Sequence, residues 1–299
     1  MMKLSHESKV RLGVGIGAFV LIIGLVFGIS RTLIHFDGPW DLDDVVSGLS
    51  GKDDAVDEGD LLDGGKYSAR PQQLSCTTFD ADEFRYLDFD IDAATVDVKV
   101  VDGNKARVIE RGRVANGMDA SKAATQNIAS VEESTLKVSQ FGSDDGKAID
   151  RSVTVELPRR VAEHLKGINA HVGSGDLQIA GVTCDGFDLF LGAGDVEFAG
   201  SVTDALSAEV GSGDVTFELY QAPAKSMDVS VGSGDVEMTV PNSTGFKASL
   251  TLGSGDFESD FLPLGYDGET ILNLEFDNGD KSATYCFEVG SGDMSFDSE

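Results

Sequence analysis

The sequence predicts an all-β fold, a β-solenoid or β-helix-like repeat domain carried on one N-terminal transmembrane helix. Three observations predict it. A Gly-Ser-Gly-Asp segment, once with Ala in place of Ser, recurs six times, alternating apolar residues flank the copies, and a long uncharged run lies close to the N-terminus. The 36 glycines against 6 prolines fit many tight turns between regular elements.

The uncharged run is Leu12–Ser30. As a helix it spans about 28 Å, enough for a bilayer core. Lys3, Lys9 and Arg11 precede it, and Arg31 alone follows before an acid-rich segment. The positive-inside rule then places residues 1–11 in the cytoplasm and the C-terminal part outside. A cleaved signal peptide is the rival reading. Its apolar region is shorter, and Gly28-Ile29-Ser30 is a poor cleavage site. Gly13 and Gly17, and Gly24 and Gly28, have the spacing that lets two membrane helices approach.

Residues 31–75 read as an acidic flexible tether. Between Asp37 and Asp63 there are ten acidic residues and one lysine, a composition that repels itself into extension. Trp40 suits the membrane interface.

Residues 76–299 read as the extracytoplasmic β-strand-repeat domain. The six copies start at Val172, Leu191, Val210, Val231, Leu252 and Val289, and their aspartates are Asp176, Asp195, Asp214, Asp235, Asp256 and Asp293. Successive aspartates are 19, 19, 21, 21 and 37 residues apart. The last gap is nearly two periods, and Asn278-Gly279-Asp280 is the place for a decayed copy. Leu206, Ala208 and Val210 alternate with polar residues before one corner, as do Val215, Phe217 and Leu219 after it. Period-two alternation means strands with one buried face. Glycine supplies corner conformations that other residues resist, and aspartate accepts nearby backbone N–H groups. A parallel solenoid and a run of antiparallel hairpins both fit the period. Near-identical turns favour the solenoid, because each coil then meets the same environment. About ten coils are expected. Upstream, Ala93-Ala94-Thr95 stands where a glycine corner would be, and residues 115–132 look like an insertion.

The net charge of -29 excludes nucleic-acid binding, because phosphate backbones would be repelled. Cys76, Cys184 and Cys286 are widely spaced with no Cys-x-x-Cys, so a zinc ribbon or thioredoxin motif is excluded. One disulfide is compatible with an exported domain, with the pair left open.

The corner aspartates are the candidate metal ligands. Stacked carboxylates are hard oxygen ligands suited to Ca²⁺, so Asp176, Asp195, Asp214, Asp235, Asp256 and Asp293 form its ligand set if it binds. Turn chemistry is the simpler role, since calcium β-rolls use a period half as long. Catalysis is not expected, and no cofactor is. The aspartates recur at equivalent corners rather than converging as a pair, and no His-Glu-x-x-His or Gly-x-Ser-x-Gly occurs. The outward positions before the corners are His171, Phe190, Glu209, Ser230, Thr251 and Glu288, and no aromatic-lined carboxylate groove emerges from them.

The layout resembles the bacterial putative-adhesin family, a β-strand-repeat domain of unknown function found with cell-envelope-stress systems. The resemblance spans about residues 76–299. It rests on the alternating Leu87–Val100 segment, the Val153–Pro158 strand and the repeated Val-Gly-Ser-Gly-Asp-Val. It implies a solenoid-like domain in the envelope and no established activity. The expected function is a membrane-anchored, non-catalytic module for binding or envelope-stress support, touching the lipid bilayer through its helix and an envelope protein or glycan through its coils. A Ca²⁺-stabilised surface adhesin and a polysaccharide-active β-helix enzyme are the alternatives.

Overall fold

The computed structural model describes residues 66–140, 146–261, 274–279 and 282–299. The expected cytoplasmic tail, transmembrane helix and most of the tether lie outside these residues. Among the described residues no helix is long and apolar enough to cross a membrane. The repeat domain belongs to a unit that runs from Leu62 to Glu299.

The strands are β1 (Gln72–Asp80), β2 (Tyr86–Ala93), β3 (Thr95–Val101), β4 (Lys105–Val114), β5 (Ala129–Glu132), β6 (Thr135–Gln140), β7 (Ala148–Pro158), β8 (Leu165–Ser174) and β9 (Leu177–Ala193). They continue with β10 (Val196–Ser212), β11 (Val215–Gln221), β12 (Ser226–Ser233), β13 (Val236–Val240), β14 (Phe246–Leu252), β15 (Phe257–Glu258), β16 (Leu274–Asn278), β17 (Ala283–Val289) and β18 (Met294–Ser298). β1 thus begins inside the span read as tether.

The repeats stack in parallel, as a solenoid requires. One stack holds the strands that enter the corners, in the order β6, β2, β8, the ends of β9 and β10, β12, β17 and β14. The other holds the strands that leave them, in the order β7, β3, the starts of β9 and β10, β11, β13, β18 and β15. β9 and β10 each run from one stack into the other. These levels number eight among the described residues, fewer than the ten expected.

The stacking order departs from the sequence order twice. β2–β3 lies between β6–β7 and β8–β9. At the far end β17–β18 lies between β12–β13 and β14–β15, although β14 follows β13 in sequence. The 37-residue gap therefore holds no further corner among its described residues. Within it β16 pairs antiparallel with β14, and Asn278 donates from Nδ2 to the Thr244 carbonyl at 2.7 Å. Asp280 lies outside the described residues.

Alternation places the apolar residues inside. Val172, Leu191, Val210, Val231, Val289 and Leu252 are buried before the corners, and Leu177, Val196, Val215, Val236, Met294 and Phe257 after them. Burial of such a side chain is worth about 1.5–3 kcal/mol. At the C-terminal end the core turns aromatic: the Phe246 ring lies 5.0 Å from Phe261, 5.1 Å from Tyr285 and 5.3 Å from Phe296.

The 115–132 insertion contains a 3-10 turn (Ala120–Lys122) and β5, and it brings Thr125 to a buried carboxylate. Glu110 is fully buried and accepts from the Thr125 backbone N–H at 2.8 Å, its hydroxyl at 2.6 Å and Arg151 Nη1 at 2.7 Å. Arg151 also donates from Nη2 to the Ala123 carbonyl at 3.0 Å, so both partners of this buried charge pair make further hydrogen bonds.

Candidate functional site

Each corner uses its two glycines differently. The second glycine has a positive φ, +116° at Gly175 and between +132° and +135° at Gly194, Gly213, Gly234, Gly255 and Gly292. The first glycine allows close stacking: a Cβ on Gly211 would stand 2.4 Å from the Gly192 carbonyl oxygen of the adjacent coil. Ala94 replaces the second glycine in the β2–β3 coil without a positive φ.

The aspartates form a ladder between coils rather than closing their own turns. The backbone N–H of Asp195 donates to Asp176 Oδ1 at 3.3 Å, and that of Asp214 to Asp195 Oδ1 at 3.0 Å. The ladder continues from Asp235 N–H to Asp214 at 2.9 Å, Asp293 to Asp235 at 2.8 Å, and Asp256 to Asp293 at 2.9 Å. All six predicted residues are therefore brought together in one column, in the order 176, 195, 214, 235, 293, 256. Burial pushes the Asp195 carboxyl above the usual carboxylate range, and the charges of Asp176 and Asp214 push the same way. Five of the six carboxylates already hold an N–H donor. No group of three or more His, Cys, Asp or Glu side chains converges on a metal position among the described residues.

The outward residues predicted before the corners form one exposed row: His171, Phe190, Glu209, Ser230, Glu288 and Thr251 lie side by side on successive strands. The His171 and Phe190 rings lie against each other, with centroids 4.7 Å apart and planes tilted by 46°.

Two residues earlier on each strand lies a groove that the sequence reading missed. It has a volume of about 530 Å³. Its open floor comes from Gly167, Gly186, Ala205 and Ser226, which pair in register on β8, β9, β10 and β12. Tyr86, 45% exposed, closes one end with its ring over Gly167. Along the side run Asp88, Asn169, Asp188, Ser207 and Asp228, again in register. The alternating charge across strands was the available signal, but it appears only once the strands are aligned. Carboxylates on every second strand stand about 10 Å apart, wider than the roughly 5 Å of a retaining glycosidase pair and just beyond the roughly 6.5–9.5 Å of an inverting one.

Cys76 is exposed, Cys184 buried and Cys286 half-buried, and none is paired. Burial pushes the Cys184 thiol up to about 12.

A model of the family described as Toastrack DUF4097 matches residues 93–297, from the first corner to the last strand. The chain belongs to the Toastrack DUF4097 family. This agrees with the putative-adhesin resemblance carried by its repeats. Among solved structures, the Toastrack chain is similar to a putative cell adhesion protein from Clostridium sporogenes, with 13% identity, a TM-score of 0.47, and coverage of 77% of this chain and 100% of that one. It is also similar to a putative adhesin from Bacteroides fragilis, with 15% identity, a TM-score of 0.43, and coverage of 77% and 98%. No curated protein matches the chain. Neither structural likeness brings a function to this Toastrack domain.

Proposed function

We propose that this chain is a non-catalytic cell-envelope protein, anchored by Leu12–Ser30, that displays its coils outside the membrane as a rigid adhesive surface. The groove between Tyr86 and Asp228 carries the reading. It is a preformed recess on parallel strands, flanked by the exposed His171–Phe190 pair, and its polar groups repeat along the coils instead of converging as reacting groups do. The charge asymmetry around Leu12–Ser30 supports an N-terminus inside and coils outside.

The test is expression of the full chain in bacterial cells, followed by fractionation and protease treatment of intact cells. The chain should partition with membranes and lose its coils to external protease, and deletion of residues 12–30 should release it. Protection of the coils in intact cells, or a soluble full-length chain, overturns the display reading.

A further inference from the structure

We propose that the groove binds an extended cationic polypeptide with a basic side chain at every third residue. The proposal rests on the adhesive reading above and names the partner of that same surface.

Charge selects the class of ligand. Asp88, Asp188 and Asp228 lie along one side of the groove. Asp188 and Asp228 have no hydrogen-bond or ion-pair partner among the described residues, while Asp88 accepts from Asn169 Nδ2 at 2.9 Å. Of the nearby basic residues, Lys166 pairs with Asp185 at 2.7 Å, Lys225 with Asp204 at 2.7 Å and Lys137 with Glu132 at 2.9 Å, Lys137 also lying in register beside Asp88, while Arg85 donates to the Ala81 and Phe84 carbonyls. The neighbouring row adds Asp90 and Glu209 beside His171 and Phe190. The net field over the groove is therefore negative, in a chain whose total is -29. The exposed faces of Tyr86 and Phe190 favour ammonium or guanidinium groups over anions.

Spacing selects the sequence pattern. The carboxylates occupy alternate strands, with Asn169 and Ser207 between them. Strands are about 4.8 Å apart, so the carboxylates repeat at about 10 Å. One turn of polyproline II, three residues, spans about 9 Å and returns every third side chain to the same face, whereas a β-extended chain of that length turns it away. A lysine at every third residue thus meets Asp88, Asp188 and Asp228 in turn, with the chain running along the stack. A neutral glycan leaves Asp188 and Asp228 without counter-charge.

The experiment uses the full chain in detergent and labelled peptides of one composition, read by fluorescence anisotropy. One peptide repeats Lys-Pro-Ala; the others place the same lysines in a block or at alternate positions. The Lys-Pro-Ala repeat should bind roughly fivefold tighter than either, and Asp188→Asn with Asp228→Asn should remove that advantage while leaving the melting temperature unchanged. Glu258→Gln, on the other stack, should leave affinity as it was. Equal binding of the three peptides, equal loss with Glu258→Gln, or tighter binding of a neutral oligosaccharide overturns the proposal. Failure here with coils still displayed on intact cells removes the ligand and leaves the envelope role standing.

Discussion

Asp214 Oδ1 accepts the backbone N–H of Asp235, one coil further along the stack, at 2.9 Å. The same contact joins five successive pairs of corners. A residue that looks like a turn former is thereby a tie between coils, and its effect depends on where in the column it stands. Asp214→Ala leaves the Asp235 N–H without its acceptor and should cost about 1 kcal/mol. Asp256 ends the column, so Asp256→Ala should change stability little. Denaturant midpoints of the two variants check the contrast.

The corner glycines should be far less forgiving. Gly213 has φ +135°, and a Cβ there would stand 1.7 Å from the Gly194 carbonyl oxygen. Gly213→Ala must strain its own backbone and push two coils apart, so it should cost more than about 3 kcal/mol or prevent folding. Gly103 has φ +128° but open space around it. Gly103→Ala should cost only the backbone strain, about 1–3 kcal/mol. Thermal unfolding of both separates crowding from strain.

Glu110→Ala should be among the most damaging changes outside the corners. It leaves Arg151, whose side chain is 7% exposed, without its counter-charge. It also removes the acceptor that holds Thr125. The expected loss is about 3–5 kcal/mol, measurable by chemical denaturation.

Mild acid should stabilise the coils. Burial raises the carboxyls of Asp195, Glu218 and Asp297 above their ordinary values of 3.8, 4.5 and 3.8. In the window just above those values the folded state binds more protons than the unfolded state, so stability falls as pH rises through it. Asp185 has the opposite sign: Lys166 lowers its carboxyl, and that contribution is lost only as pH falls below 3.8. The melting temperature should therefore peak on the acid side of neutrality. Asp195→Asn should flatten part of the slope.

The thiols should react in order of exposure. Cys76 should modify at once with a thiol reagent at pH 8, Cys286 more slowly, and Cys184 only on unfolding, because burial holds it protonated up to about 12. Timed labelling with mass spectrometry checks the order.

The corners and the inward residues were legible because each is encoded within a few residues. Val210 and Val215 reveal their burial by alternation alone, and the glycines between them mark the turn. The intercalated last coil was not legible. The repeats at Val231 and Leu252 have the same spacing as stacked neighbours, and nothing local states that Val289 comes between them. The role of the aspartates was half legible: they do accept backbone N–H groups, but from the next coil, which requires the stacking to be known. The groove was hidden for the same reason. Asp88 and Asp228 are distant in sequence, and only strand register aligns them with Asp188.

The ladder is tested most directly by thermal unfolding of the full chain in detergent, with millimolar Ca²⁺ and with chelator, for the natural sequence, Asp214→Ala and Asp256→Ala. If the corner aspartates act through the backbone, the natural chain melts at the same temperature in both buffers, Asp214→Ala melts lower in both, and Asp256→Ala stays close to the natural chain. A large Ca²⁺-dependent rise that Asp214→Ala abolishes would contradict this and make the column a metal site.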